Sequence, residues 1–227
     1  MLNSILKYIA DAIKSIFSAK PAEISPIPSN PIQQVPDVGI VAPEPLSPKP
    51  EVKMMDLVDA IKLCVKKYEG VRETNGKNRS PVIDKIITSH GGGLGSAYCA
   101  YGACQIVDDL VALYASKGHK VSFDIYKTGS SQTMWAKAKD AYKLGKPKAG
   151  SIVIWKHMNG NWTGHVGICL SDLEGGGFKT FEFNTSPDNH SVVRDGEGAY
   201  YKTRPFKDVG DMHILGFIDL QKAMKVL

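Results

Sequence analysis

The sequence lacks several things, and each absence narrows what the protein is. It has no uninterrupted apolar run of about 18 residues, so no segment reads as a membrane-crossing helix. It holds only four cysteines in 227 residues, Cys64, Cys99, Cys104 and Cys169. No CxxC pair occurs, and the spacing fits neither a zinc site nor a disulfide scaffold. These thiols are expected to be reduced and mostly buried. No repeat of 20 to 50 residues is visible, which excludes solenoids and propellers. A strong excess of one charge is also missing: Lys plus Arg is 28 and Asp plus Glu is 23, a net charge of +5. That is too weak and dispersed for a nucleic-acid partner, although it favours approach to an anionic polymer or surface. With 43% apolar and 22% charged residues, the chain is neither wholly disordered nor collagenous.

What is present is unevenly spread. Nine of the 13 prolines lie between Pro21 and Pro50. Such a stretch supports neither a helix nor a central strand, and reads as an extended spacer rich in polyproline II. At about 3.1 Å per residue its upper reach is roughly 90 Å. Ahead of it, residues 1–20 carry Leu2, Ile5, Leu6, Ile9, Ala12, Ile13, Ile16 and Phe17 at three- and four-residue steps, the pattern of an amphipathic helix. Lys7, Asp11 and Lys14 interrupt the apolar core that a secretory signal would need. A helix this short is marginal alone in water and must bury its stripe on its own body, sister copies, a partner protein or a membrane surface, and a long stiff spacer argues against the body. The domains expected are therefore an anchor helix (1–20), a Pro-rich linker (21–50) and a globular body (51–227).

In the body, apolar periodicity predicts a helix over Val52–Tyr68. Ser80 as N-cap with Pro81 at the first helical position predicts a second over Pro81–Thr88. Ser96 precedes a long helix over Ala97–Ser116, and Ser131–Tyr142 reads as a fourth, stopped at Leu144-Gly145. After Gly150 the texture turns to strands: Ser151–Trp155, His165–Leu170, Phe178–Phe183 and His213–Leu220. Helices first and strands after predict an α+β fold with an antiparallel sheet packed on helices.

The residues able to do chemistry are few. Cys99, in GGGLGSAYCAYGACQ, falls in the first turn of a helix, where backbone N–H groups and the positive dipole end favour a thiolate. Cys64, Cys104 (about 140° around the helix from Cys99) and Cys169 read as core. His165 opens the strand HVGICL and could take the proton of a thiol. Glu182, in FKTFEFNTS, alternates with Phe181 and Phe183; strict alternation puts Asn184 on its face. An acid and an amide there could hold an imidazole in the right tautomer. The five other histidines have no such setting, though His90 lies near the Cys99 loop.

Taken together, these segments resemble the CHAP family, cysteine, histidine-dependent amidohydrolases and peptidases of the papain-like superfamily. The similar stretches are EGVRETNGKNRSPVIDKII (69–87), SAYCAYGACQIV (96–107), KPKAGSIVIWKH (146–157), TGHVGICL (163–170) and FEFNTS (181–186), the last with Phe183 where glycine is usual. The resemblance implies a papain-like α+β fold, with Cys99 as nucleophile, His165 as base, Glu182 orienting it and Asn184 assisting. It implies a peptidoglycan substrate, cut at an amide, with no cofactor. Some members carry an acidic calcium loop before the cysteine; here SHGGGLGS has no carboxylate, so no metal is expected there. For the oxyanion, the phenol of Tyr98 and the backbone N–H of Cys99 stay open as donors. No separate wall-binding domain is visible. With the apolar head and stiff spacer, this points to a phage lysin located on the virion. The alternatives are a free endolysin, made in the host cytoplasm and released to the wall, or a non-catalytic virion component.

Overall fold

The computed structural model describes residues 53–158, 162–187 and 196–227. The predicted anchor helix and Pro-rich linker lie outside the described residues. Three helices come first: α1 (Leu57–Lys66), α2 (Pro81–Ser89) and α3 (Cys99–Ser116). A short strand β1 (Val121–Phe123), helix α4 (Ser131–Lys137) and β2 (Lys143–Leu144) lead to the main strands. These are β3 (Ser151–His157), β4 (Gly164–Cys169), β5 (Gly177–Thr185), β6 (Gly198–Pro205) and β7 (Met212–Asp219), followed by α5 (Leu220–Ala223) and β8 (Met224–Val226). Six strands form an antiparallel sheet in the order β2-β7-β3-β4-β5-β6, and β1 pairs separately with β8. The fold is α+β and papain-like, an antiparallel sheet packed on helices.

Local chemistry sets the helix ends. The Asp56 side chain accepts hydrogen bonds from the Val58 and Asp59 N–H groups, so α1 starts several residues later than periodicity predicts. The Ser80 hydroxyl accepts from the Ile83 N–H with Pro81 at the first position, as predicted for α2. At α3 the helix starts two residues later than expected, at Cys99. Ser96 donates its hydroxyl to the Gly93 carbonyl at 2.6 Å, closing a turn instead of capping the helix. Tyr98 takes the N-cap position, and Cys99 becomes the first helical residue. The predicted fourth helix is shorter, because the chain breaks at Ala138 into a 3-10 turn over Asp140–Tyr142 and then β2.

Strand alternation divides the sheet's side chains into two faces. Ile152, Ile154, Val166, Ile168, Phe181, Phe183 and Ile218 pack with α1, α2 and α3 in the main core. Their neighbours Val153, Trp155, Cys169, Phe178 and Phe217 form a second apolar cluster on the other face. Phe183 packs over Gly102 of α3, where a Cβ would fall 2.3 Å from the ring. Helix and strand approach closely there only because one of the two positions has no side chain.

Candidate active site

Cys99 enters the site at the mouth of α3. The first hydrogen bond of that helix runs from the Gly102 N–H to the Tyr98 carbonyl at 2.8 Å. The N–H groups of residues 99–101 therefore lie ahead of the helical ladder. The turn before Cys99 is braced from below. Asn78 donates through Nδ2 to the Gly95 carbonyl at 3.1 Å, and Glu73 accepts from the Asn78 N–H at 3.0 Å. Glu73 also accepts from the Tyr98 hydroxyl at 3.4 Å. The Tyr98 phenol is thus buried and turned toward Glu73, and burial, more than the Glu73 charge, drives its pKa far up.

His165 is the second residue of β4, opposite Trp155 of β3. Cys99 lines a cleft with Gly129, Ser131, Trp162, Thr163 and Gly164, the last being the residue before His165. Gly164 permits that cleft: a Cβ there would sit 2.2 Å from the Trp155 carbonyl oxygen and 2.8 Å from the Ser131 hydroxyl. The imidazole is fully buried, and its Nε2 hydrogen-bonds Glu182 Oε2 at 3.0 Å. Among the described residues, Nδ1 has no hydrogen-bond partner. Burial alone would push the imidazole pKa down. Hydrogen bonding and charge from Cys99 and Glu182 outweigh burial and hold it up at about 9. Cys99 is thus close enough for its charge to raise the pKa of the ring. That direction favours the protonated ring.

Glu182 is fully buried and heavily coordinated. Its Oε1 accepts from Arg204 Nε at 2.8 Å and from the Thr180 hydroxyl at 2.6 Å. Its Oε2 accepts from Arg204 Nη2 at 2.5 Å as well as from His165. Burial would raise this carboxyl's pKa, but the bonds to Arg204 and His165 reverse that and hold it far below the usual carboxylate range. Gly167 leaves room for the glutamate: a Cβ there would be 2.7 Å from Glu182 Cγ.

Asn184 is buried too, but alternation does not carry over to it. It adopts φ 56° in a β-bulge, and the β5–β6 register resumes at Thr185↔Gly198. Thr185 accepts from Arg204 Nη2 at 3.4 Å, so Thr185 stands on the Arg204 and Glu182 side after the bulge. The Asn184 backbone carbonyl accepts from the Gly196 N–H at 3.2 Å.

The remaining cysteines lie in the core: burial raises Cys64 and Cys104 to about 11 and Cys169 higher still. His90 makes contacts that look like a triad, with Ser89 at 3.1 Å and Asp108 at 3.1 Å. Its Nδ1, however, faces the Ile86 carbonyl at 2.8 Å. That nitrogen must donate and cannot accept a proton from Ser89. Among the described residues no group of three or more His, Cys, Asp or Glu side chains is placed to hold a metal, and no helix is long and apolar enough to cross a membrane.

Arg204 and Thr180 escaped the sequence reading. Thr180 was legible, since it stands two residues before Glu182 on the same face. Arg204 lies in YYKTRP, which was not read as a strand, and arginine in such a setting ordinarily faces solvent.

A thiol at a helix mouth, an imidazole at a strand start and a carboxylate behind it, on an antiparallel sheet, define a papain-like thiol–imidazole centre. Residues 90–184 match the model of the CHAP domain. The matched part of the chain carries Cys99, His165, Glu182 and Asn184 and is similar to the CHAP family of cysteine, histidine-dependent amidohydrolases. That match supports a hydrolase of the peptidoglycan amidase or peptidase type. No curated protein matches the chain.

Proposed function

We propose that the protein cleaves an amide bond of bacterial peptidoglycan through Cys99 and His165. The observation that carries this reading is the meeting of a helix-mouth thiol with a buried imidazole whose far nitrogen is held by an ionised glutamate. The Cys99 sulfur, its proton on His165, attacks the amide carbonyl carbon. The carbonyl π electrons move to oxygen, and the oxyanion faces the helix mouth. The Cys99 backbone N–H is the favoured donor, because the Tyr98 hydroxyl is turned toward Glu73. As the intermediate collapses, His165 gives its proton to the leaving amine, and an acyl-enzyme remains. Water, deprotonated by His165, then attacks the thioester and releases the acid. Glu182 keeps the ring in the tautomer and orientation that both half-reactions need, and Asn184 supports the site from the bulge.

Two features support a finer reading, a phage lysin carried on the virion. The apolar periodicity of residues 1–20 and the proline-rich stretch 21–50 suit immobilisation on a particle, and a net charge of +5 suits an anionic wall. A zymogram with Cys99→Ala and His165→Ala tests the enzyme. Clearing should vanish in both, by roughly 10³-fold or more, and clearing that persists in Cys99→Ala would show the nucleophile to be another residue. Mass analysis of digested wall identifies the bond. Proteomics of purified particles tests the location, and absence from the particle defeats the virion reading in favour of a free endolysin.

A further inference from the structure

We infer that Arg204, assisted by Thr180, is a positioning residue of this site: it fixes the Glu182 carboxylate so that Oε2 holds His165. The inference rests on the hydrolase reading above and deepens it. A carboxylate offers about four lone-pair positions. In Glu182 four contacts fill them: two from Arg204, at 2.8 and 2.5 Å, one from Thr180 at 2.6 Å and one from His165 at 3.0 Å. The carboxylate can therefore neither rotate nor swap its oxygens without breaking a buried bond. The fork is itself held: the guanidinium lies 6.0 Å from the Trp155 ring centroid, and Nη2 reaches Thr185. The same indole lies 5.6 Å from the His165 ring, so Trp155 packs against both cation and imidazole.

Charge gives the second half of the argument. A buried carboxyl without a cation takes up a proton. Protonated Glu182 would stop stabilising the imidazolium. The other groups around the pair do not supply that cation. Cys169 of β4 is pushed up by its burial and stays a neutral thiol. Lys202, the other buried cation of β6, donates to the Ser186 carbonyl at 2.6 Å. Cys99 of α3 supplies no positive charge, and Trp155 of β3 is uncharged.

The test uses the full chain with Arg204→Met, Arg204→Lys and Thr180→Val. The midpoint of the His165 ring protons is followed by NMR, assigned by loss of the signal in His165→Gln, beside kcat and KM on purified wall. In Arg204→Met the midpoint should fall by about one pH unit or more. On wall, kcat should drop on the order of 10- to 100-fold with KM within about twofold. Arg204→Lys, which keeps the charge but loses the fork, should recover part of both, and Thr180→Val should shift both slightly in the same direction. If Arg204→Met does not fold, the other two variants carry the test. Folded Arg204→Lys and Thr180→Val with wild-type midpoint and kcat would overturn the inference. The titration needs no turnover, so a wild-type protein that leaves wall intact would defeat the hydrolase reading without touching this result.

Discussion

The two faces of the sheet bury their side chains for different ends. On the helical face, Ile152, Ile154, Ile168, Phe181 and Phe183 belong to the apolar main core. On the other, Val153, Trp155, Phe178 and Phe217 enclose a fully buried run of ionisable groups: His165, Glu182 and Arg204. The first face stabilises the fold by removing apolar area from water. The second accepts the desolvation of three ionisable groups, which is favourable only while each holds its partner. Cys99 belongs to the helical core and His165 to the other face, and the cleft where β4 begins brings Cys99 beside Gly164, the residue before His165. A face that serves stability should respond to substitution in melting temperature, and one that serves chemistry in rate and pH profile.

The sharpest test of that contrast is Glu182→Gln. It keeps volume but removes the charge facing Arg204 and His165, and kcat should fall roughly 10²- to 10⁴-fold in a wall-lysis assay, with the basic limb of the rate profile moving to lower pH. A Gln variant of near wild-type rate would remove Glu182 from the site. On the helical face, Phe183→Ala should cost about 3–5 kcal/mol in denaturant unfolding. Gly102→Ala should cost about 1–3 kcal/mol by overpacking the same ring. The two are not additive, because trimming the ring makes room for the new methyl; strict additivity would show that they do not share one contact.

Stability against pH follows next. His165 has a folded pKa raised to about 9 from 6.5. Its contribution is therefore fully present below pH 6.5 and is lost as pH rises toward 9. Glu182, lowered in the fold, contributes above its unfolded value and loses that contribution only in acid. The melting temperature should thus decline between pH 6.5 and 9, and Glu182→Gln should flatten that decline in calorimetry. The smallest effect belongs to Tyr98→Phe. Loss of the 3.4 Å bond to Glu73 should cost about 1 kcal/mol and leave kcat within about threefold. A much larger loss of kcat would restore the phenol as the oxyanion donor.

Much of this was legible in the residues because the signals were local. Ser80-Pro81 fixes the start of α2 through one side chain and one ring. A glycine run followed by an apolar helix places Cys99 at a helix mouth, and alternation places Glu182 opposite Phe181. What escaped depends on distant partners. Ser96 has the right side chain for a cap, but Gly93 offers it a closer acceptor. Asn184 breaks the alternation because a bulge lets the chain turn into the segment beyond. Strand β6 carries Lys202 and Arg204 inward, and only the buried glutamate on β5 explains why an arginine is there. Phe183 is matched by Gly102 across the interface, a fit that neither segment announces alone.

The burial of Cys64, Cys104 and Cys169 has a practical side. Raised to about 11 or beyond, these sulfurs stay protonated and shielded at neutral pH, while Cys99 alone among the four borders an open cleft. A bulky maleimide dye added to the native protein should therefore attach at one position, giving a singly labelled, self-blocked reporter with no cysteine removed by mutagenesis.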